Sequence, residues 1–388
     1  MRTFLKSRIQ TFTTFEALPH YLKFIGTFVY HQYLTWDNKN QHPTPTPKIK
    51  LIPWYVQSVL VLLMACVVAV KAISEILAYT KDPEITVITW LMFVLYEGMF
   101  VLCVANIWTY LFKMHEFCFG LPNLWRMKYA ADAVIRPSSE NFKFDFVGLI
   151  FHGLIPSAVT CPITVAALTF HLERDDPTYH IYRHVTFLPP YLQLSVRVAT
   201  MFFTCLQCVT VLFLSTIFCL TIVEAFLTCQ TTLVSSSTKN LFNFDTDFAK
   251  YRQLTILAKV TNDIMYYPIP VAFLTILLCC IVCGHMLLKL TGVVPIELTL
   301  LAGIVLTILI LILLYVVRQF GDVFYQSSDI IRAWKLRAAG ESKCRTRQVQ
   351  SCRKVTIEVG PFFFVRKETT LKMISEIAYY TISLVISV

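Results

Sequence analysis

The chain has 388 residues, of which 56% are hydrophobic and 15% charged, with a mean hydropathy of +0.61 and a net charge of +10. Soluble domains carry about 25% charged residues, so this composition excludes a soluble globular protein and predicts an all-α, polytopic membrane protein. The positive charge is no nucleic-acid footprint, because its place along the chain accounts for it, as shown below.

Residues 1–50 are basic and aromatic and are expected to form a cytoplasmic amino-terminal segment. Within them FEALPHYLKFIGTFVY is too short and too mixed to span a bilayer. With Leu18, Tyr21, Leu22, Ile25 and Phe28 on one side, it reads either as a helix along the membrane surface or as part of a disordered tail. The proline-rich run over 42–50 ends any helix. No compact apolar core with a small-residue cleavage site precedes it, so no cleavable signal peptide is expected.

Seven apolar spans follow, at 52–79, 85–112, 144–170, 192–226, 269–290, 296–317 and 369–388. The predicted organisation is four transmembrane helices within 51–227, a cytoplasmic helical extension over 228–268, and two more transmembrane helices within 269–317. A second cytoplasmic segment over 318–368 precedes the last helix, 369–388. Orientation comes from Lys and Arg. One side of the chain holds 27 of the 34, eleven of them over 318–368, and the other holds Lys81, Arg174 and Arg183. The basic side is cytoplasmic, which puts the amino terminus inside and the carboxyl terminus outside.

The outer surface is small, mainly the loop over 171–190 with its acidic residues and histidines. It holds no cysteine, so no extracellular disulfide framework is expected. Most cysteines lie in the spans and pack as small hydrophobes. No ligand set of His or carboxylate accompanies Cys279, Cys280 and Cys283, and neither a metal nor a cofactor is expected. The inner mass is large. Tyr251, Leu254, Ala258 and Thr261 recur at helical spacing, and so do Val323, Phe324, Ile330, Ile331 and Trp334. Such apolar stripes need a partner. The basic run over 335–354 reads as a solvated or headgroup-contacting segment, with no nucleic-acid role.

No catalytic constellation occurs: there is no phosphate loop, no Gly-x-Ser-x-Gly and no His-Glu-x-x-His. The chain is therefore not expected to be an enzyme. The chemistry-bearing residues inside the spans are Glu97, Arg197 and Glu297. They either serve a ligand or pair within the bundle.

The final helix is unlike the others. Lys372, Ser375, Glu376, Thr381, Ser383 and Ser387 recur along it, and a helix facing only lipid rarely carries so many polar groups. Thr381, Leu384 and Val388 share a face suited to lining something wet and narrow. Just before it, Gly360 is followed by Phe362, Phe363 and Phe364, and the helix opens at Thr369 and Thr370. This ending resembles the closing signature of the arthropod odorant and gustatory receptors. Gustatory members usually carry Thr-Tyr in this helix and Gln-Phe at its end; here the residues are Tyr380-Thr381 and Ser387-Val388.

The resemblance implies a ligand-gated, non-selective cation channel in the plasma membrane, opened by a small organic tastant or odorant. It implies a homotetramer, or a heterotetramer with a co-receptor. Counted from Gly360 without a gap, the family's apolar gate positions fall on Leu384 and Val388, and its polar filter position on Ser387. Thr381 lies on the same face. The inner extensions would pack as an anchor joining four subunits, through Phe324, Ile331 and Trp334. The ligand would sit among spans two, three, four and six, lined by Trp90, Phe93, Glu97, Thr160, Thr164, Phe202 and Leu301. Two other classes stay open. A G-protein-coupled receptor would need the opposite orientation, and a transporter would be expected to show internal repeats with interrupted helices.

Overall fold

A computed structural model describes residues 13–37, 42–78, 82–135, 145–171, 176–183, 189–238, 243–293, 296–338 and 342–387. In chain order, α1 is Thr14–Phe28, and a hairpin of β1 (Leu34–Asp37) and β2 (His42–Pro45) follows it. Then come α2 (Ile52–Leu77), α3 (Val87–Phe112), α4 (Met114–Ile135), α5 (Phe146–Leu154), α6 (Ser157–His171) and α7 (Pro177–Tyr182). After these stand α8 (Pro190–Thr238), α9 (Phe244–Ile264), α10 (Pro268–Lys289) and α11 (Ile296–Ile312). A π-helical turn, Leu313–Val317, joins α11 to α12 (Arg318–Ala338). The chain closes with α13 (Lys343–Ser351), a hairpin of β3 (Glu358–Val359) and β4 (Phe363–Phe364), and α14 (Lys367–Ser387).

A helix stands at every predicted span. Among the described residues, five of them are able by length and composition to cross a membrane, and six if α5 and α6 are one span bent by 50°. The bend falls at Ile155 and Pro156, since a proline cannot donate the hydrogen bond that would continue α5. Pro162, the other expected break, sits inside α6 without interrupting it. The long α14 is not among the five; its polar residues set it apart.

α8 is the hub. Its 49 residues give about 74 Å at 1.5 Å per residue, more than twice a hydrocarbon core, so it runs on well past the membrane. It packs against α1, α2, α3, α4, α6 and α12. Several of its buried polar residues are hydrogen-bonded. Thr204 and Thr221 donate to carbonyls one turn back, at 2.8 and 2.7 Å, and Gln207 Nε2 donates to Ser58 Oγ of α2 at 2.7 Å. A second hub, α10, packs against α3, α11 and α14.

Two expectations need correction. The stripe of α1 does not lie on a membrane surface. Leu18, Tyr21 and Ile25 are fully buried in the bundle, Leu22 nearly so, and Phe28 alone of that set is exposed. Tyr21 Oη donates to the Thr210 carbonyl in the middle of α8 at 2.7 Å, so α1 dips to mid-helix depth. A period-3.6 pattern identifies a buried face but not what buries it. The same holds for the inner stripe. Trp334 and Ile331 are buried, and Trp334 packs on Phe244, Phe248 and Tyr251 of α9, with ring centroids 5.4–6.5 Å away. Phe324 stacks on Phe364 at 5.3 Å. All three residues expected to join subunits are thus occupied within one chain.

Candidate functional site

The last helix, α14, is held from one side. Thr370, Met373, Ile377 and Thr381 are buried, spaced three or four residues apart, and Leu384 continues that stripe half-buried. The stripe faces α10, where Gly284 allows the closest approach. A Cβ at Gly284 would lie 2.9 Å from Thr381 Cγ2 and 3.2 Å from its Oγ1. At the far end Lys289 Nζ donates to the Val385 carbonyl at 3.0 Å.

This corrects the reading of Thr381 as pore-lining: it is the residue on which α14 seats against α10. Its Oγ1 finds no partner among the described residues. Ser387 is exposed, with its Oγ donating to the Leu384 carbonyl at 3.2 Å, and Val388 lies outside the described residues. The face left uncovered carries Lys372, Ser375, Tyr379, Ser383 and Ile386. That face, centred opposite Thr381, is the one α14 offers to anything beyond the chain.

The predicted ligand residues are not gathered into one pocket. Trp90 and Phe93 form a ladder on α3, with ring centroids 6.0 Å apart, and Phe93 is buried beneath His180 of α7. Glu97, one turn further on, is partly buried, and its Oε2 has no partner among the described residues. Leu301 packs into a separate cluster with Met92, Met286 and Leu298 of α3, α10 and α11. Phe202 lines an open apolar groove of about 470 Å³ between α6 and α8, together with Ala166, Phe170 and Phe203. Thr160 and Thr164 were expected to point inward. Both are exposed on α6, where Thr164 Oγ1 donates to the Thr160 carbonyl at 3.0 Å. That local bond satisfies a threonine hydroxyl without any interior partner.

Two features were not foreseen. The first is a cap over the end of the bundle where α8 begins. Arg197 pairs with Asp176 at 3.0 Å with both side chains buried, and its guanidinium lies 5.3 Å from the Tyr179 ring. Arg183 pairs with Glu84 at 2.7 Å and also with Asp82, fixing α7 to the turn between α2 and α3. Arg197 had been left open between a ligand role and pairing; it pairs. No spacing signal links the partners, because they are 21 residues apart, Asp176 in the loop that caps α7 and Arg197 on α8. The second is a polar cavity of about 190 Å³ beside α8, lined by Thr14, Asp145, Glu224, Tyr315 and Gln319. Asp145 caps α5, accepting from Gly148 N at 2.8 Å and from Thr14 N at 2.7 Å. The π-helical turn carries Tyr315 into the same space.

No family model matches the chain, and no curated protein matches it in sequence. Solved structures do match in fold. The insect olfactory receptor OR5 from Machilis hrabei superposes with a TM-score of 0.57 at 11% identity, covering 98% of either chain. The same receptor in complex with eugenol superposes with a TM-score of 0.57 at 12% identity, covering 100% of this chain and 99% of that one. The likeness is one of architecture rather than of sequence, and it runs from end to end: this multi-pass membrane chain has the fold of an insect olfactory receptor.

Proposed function

We propose that the chain is a chemosensory receptor of the arthropod odorant and gustatory type, a ligand-gated, non-selective cation channel of the plasma membrane. The observation that carries this is the end-to-end fold likeness to an olfactory receptor, one of whose structures holds eugenol. A small organic ligand of that kind suits the aromatic ladder of Trp90 and Phe93 with Glu97 beneath it, and the groove at Phe202. Leu301 would contribute from the α11 side. All seven spans cross the membrane, with the amino terminus inside and the carboxyl terminus outside. Four copies, or copies together with a co-receptor, surround a pathway lined by the last helix.

The uncovered face of α14 supports the pathway, since its hydroxyls and charges need water or protein rather than lipid. Near the outer end, Leu384, at the half-buried edge of the seated stripe, and the exposed Ser387 border the narrow point, where an apolar ring blocks ions by excluding water. Ligand binding favours the conformer in which the four last helices stand apart.

Current recording on the chain, alone and with a co-receptor, across a panel of small organic compounds tests the reading. Ligand-evoked cation current is expected, with Leu384→Ser giving current at rest and Ser387→Asp raising divalent permeation. Glu97→Gln is expected to shift the activating concentration at normal surface levels. An epitope at the carboxyl terminus is expected to be stained on unpermeabilised cells. Staining only after permeabilisation would indicate the G-protein-coupled orientation, and steady uptake without currents would indicate a transporter.

A further inference from the structure

The hairpin of β3 and β4 has a buried base and a bare tip. Ile357, Val359 and Val365 are buried, while Phe362 and Phe363 at the tip are 73% and 45% exposed. Two large aromatic side chains left open to water on a short hairpin are costly, so the tip's surroundings matter. The base is fixed. Asn262 Nδ2 donates to the Thr356 carbonyl at 2.9 Å, and its Oδ1 accepts from Glu358 N at 3.2 Å. Gly360 turns the tip at φ +52°, where a Cβ would meet Pro270 Cγ at 2.9 Å and the Tyr266 carbonyl at 3.1 Å. The tip is therefore pressed against the first turn of α10, and the Phe363 ring lies 6.2 Å from Phe273.

That place is the mouth of a membrane helix. Tyr266 and Tyr267, immediately before α10, are exposed. On the neighbouring α3, Trp108 and Phe112 are exposed at the end that meets α9 through the Lys113–Asp263 pair at 2.7 Å. Exposed Trp, Tyr and Phe at one end of adjacent apolar helices mark the level of the lipid headgroups. Phe362 and Phe363 extend that belt.

Cations stand directly behind it. The Arg366 guanidinium lies 4.4 Å from the Phe364 ring, and Lys354 Nζ 4.9 Å from the Phe324 ring. Lys367 is paired with Asp322 at 2.8 Å. Against Glu358, the three cations leave residues 354–367 with a charge of +2. An aromatic tip backed by cations whose stems are fixed on aromatic rings has the complementarity of one partner in particular, an anionic lipid.

We propose that this hairpin is a lipid site. Phe362 and Phe363 enter the acyl region at the cytoplasmic face, and Arg366 and Lys354 take the phosphate of an anionic phospholipid. The site joins lipid composition to α14, which begins at Lys367, one residue beyond Arg366. It rests on the membrane reading of α10 and not on channel activity.

The test uses the full chain in nanodiscs with Phe362 replaced by photoreactive p-benzoyl-phenylalanine. Discs of phosphatidylcholine with phosphatidylserine hold the same lipids in both leaflets, so an error in orientation leaves the labelling unchanged. The expected result is cross-linking to lipid, enriched in phosphatidylserine. Arg366→Gln with Lys354→Gln is expected to cut that enrichment by up to about thirtyfold, at roughly 1 kcal/mol per cation near a lipid surface. Thermal stability of the double variant, measured alongside, is expected to stay unchanged. Cross-linking to a second copy of the chain would show a subunit interface instead, and labelling of both lipids in proportion to their abundance would remove the anionic preference; either overturns the proposal. Labelling ratios in discs with two different fractions of phosphatidylserine read the preference without any further substitution.

Discussion

α11 and α14 are alike in shape and opposite in surface. Each presents an uncovered stripe at spacings of three or four residues. On α11 the stripe is Ile296, Leu300, Ile304, Ile308 and Leu311, all aliphatic. On α14 it is Lys372, Ser375, Tyr379, Ser383 and Ile386. Exposure in a single chain therefore has two meanings here. Aliphatic exposure is satisfied by lipid, which is as apolar as leucine. The hydroxyls and charges of α14 have no such partner in a bilayer, so that face meets water or another chain. The side that each helix buries makes the same point. α14 is seated on α10 through a glycine and a threonine, a contact that tolerates little change.

The comparison depends on the inner mass that holds α12, the continuation of α11, near the start of α14. A Cβ at Gly321 of α12 would lie 2.8 Å from the Lys367 backbone N, so the two elements touch without a side chain between them. Trp334 is the largest buried side chain of that mass. Trp334→Ala is expected to cost about 3–5 kcal/mol. Thermal unfolding of the purified chain should show the loss whatever the oligomeric state. A loss of oligomer with unchanged unfolding would return Trp334 to the subunit interface.

The next largest effect separates the two helices directly. A lysine at mid-helix facing lipid costs on the order of 2.5–3.5 kcal/mol on insertion scales. Ile304→Lys on α11 is expected to lower surface levels sharply, whereas Tyr379→Lys on α14 is expected to leave them near normal and change the current. Equal collapse in both, measured by surface labelling, would mean that α14 also faces lipid.

The smallest effect probes the seat of α14. Gly284→Val overpacks the contact with Thr381, for which about 1–3 kcal/mol is usual. With Thr381→Ala added, the nearest side-chain atom left to the new Cβ is the Thr381 Cβ position at 3.7 Å, and most of the loss should be regained. Unfolding temperatures of the two single variants and the double variant give the coupling. Simple additivity would place Thr381 elsewhere.

What the sequence determined by itself was the membrane class, the presence of a helix at each apolar run and the oddity of the last one. These follow from local composition: an apolar run of about twenty residues has few fates, and polar residues recurring within one stand out. The buried face of α12 was legible as a stripe, and so was the polar character of α14, but not which of its faces is uncovered. The partners were decided by tertiary structure alone. Leu18 and Tyr21 of α1 pattern like a surface helix yet pack on α8, because periodicity records that a face is covered and not by what. Thr381 shares a face with Leu384, but that face looks toward Gly284, a contact between segments some hundred residues apart. Arg197 was visible as a buried charge, while its answer, Asp176, lay in a loop whose fold over α8 no local pattern encodes. Helical spacing fixes which residues stand together, and only the packing of distant segments fixes which way they turn.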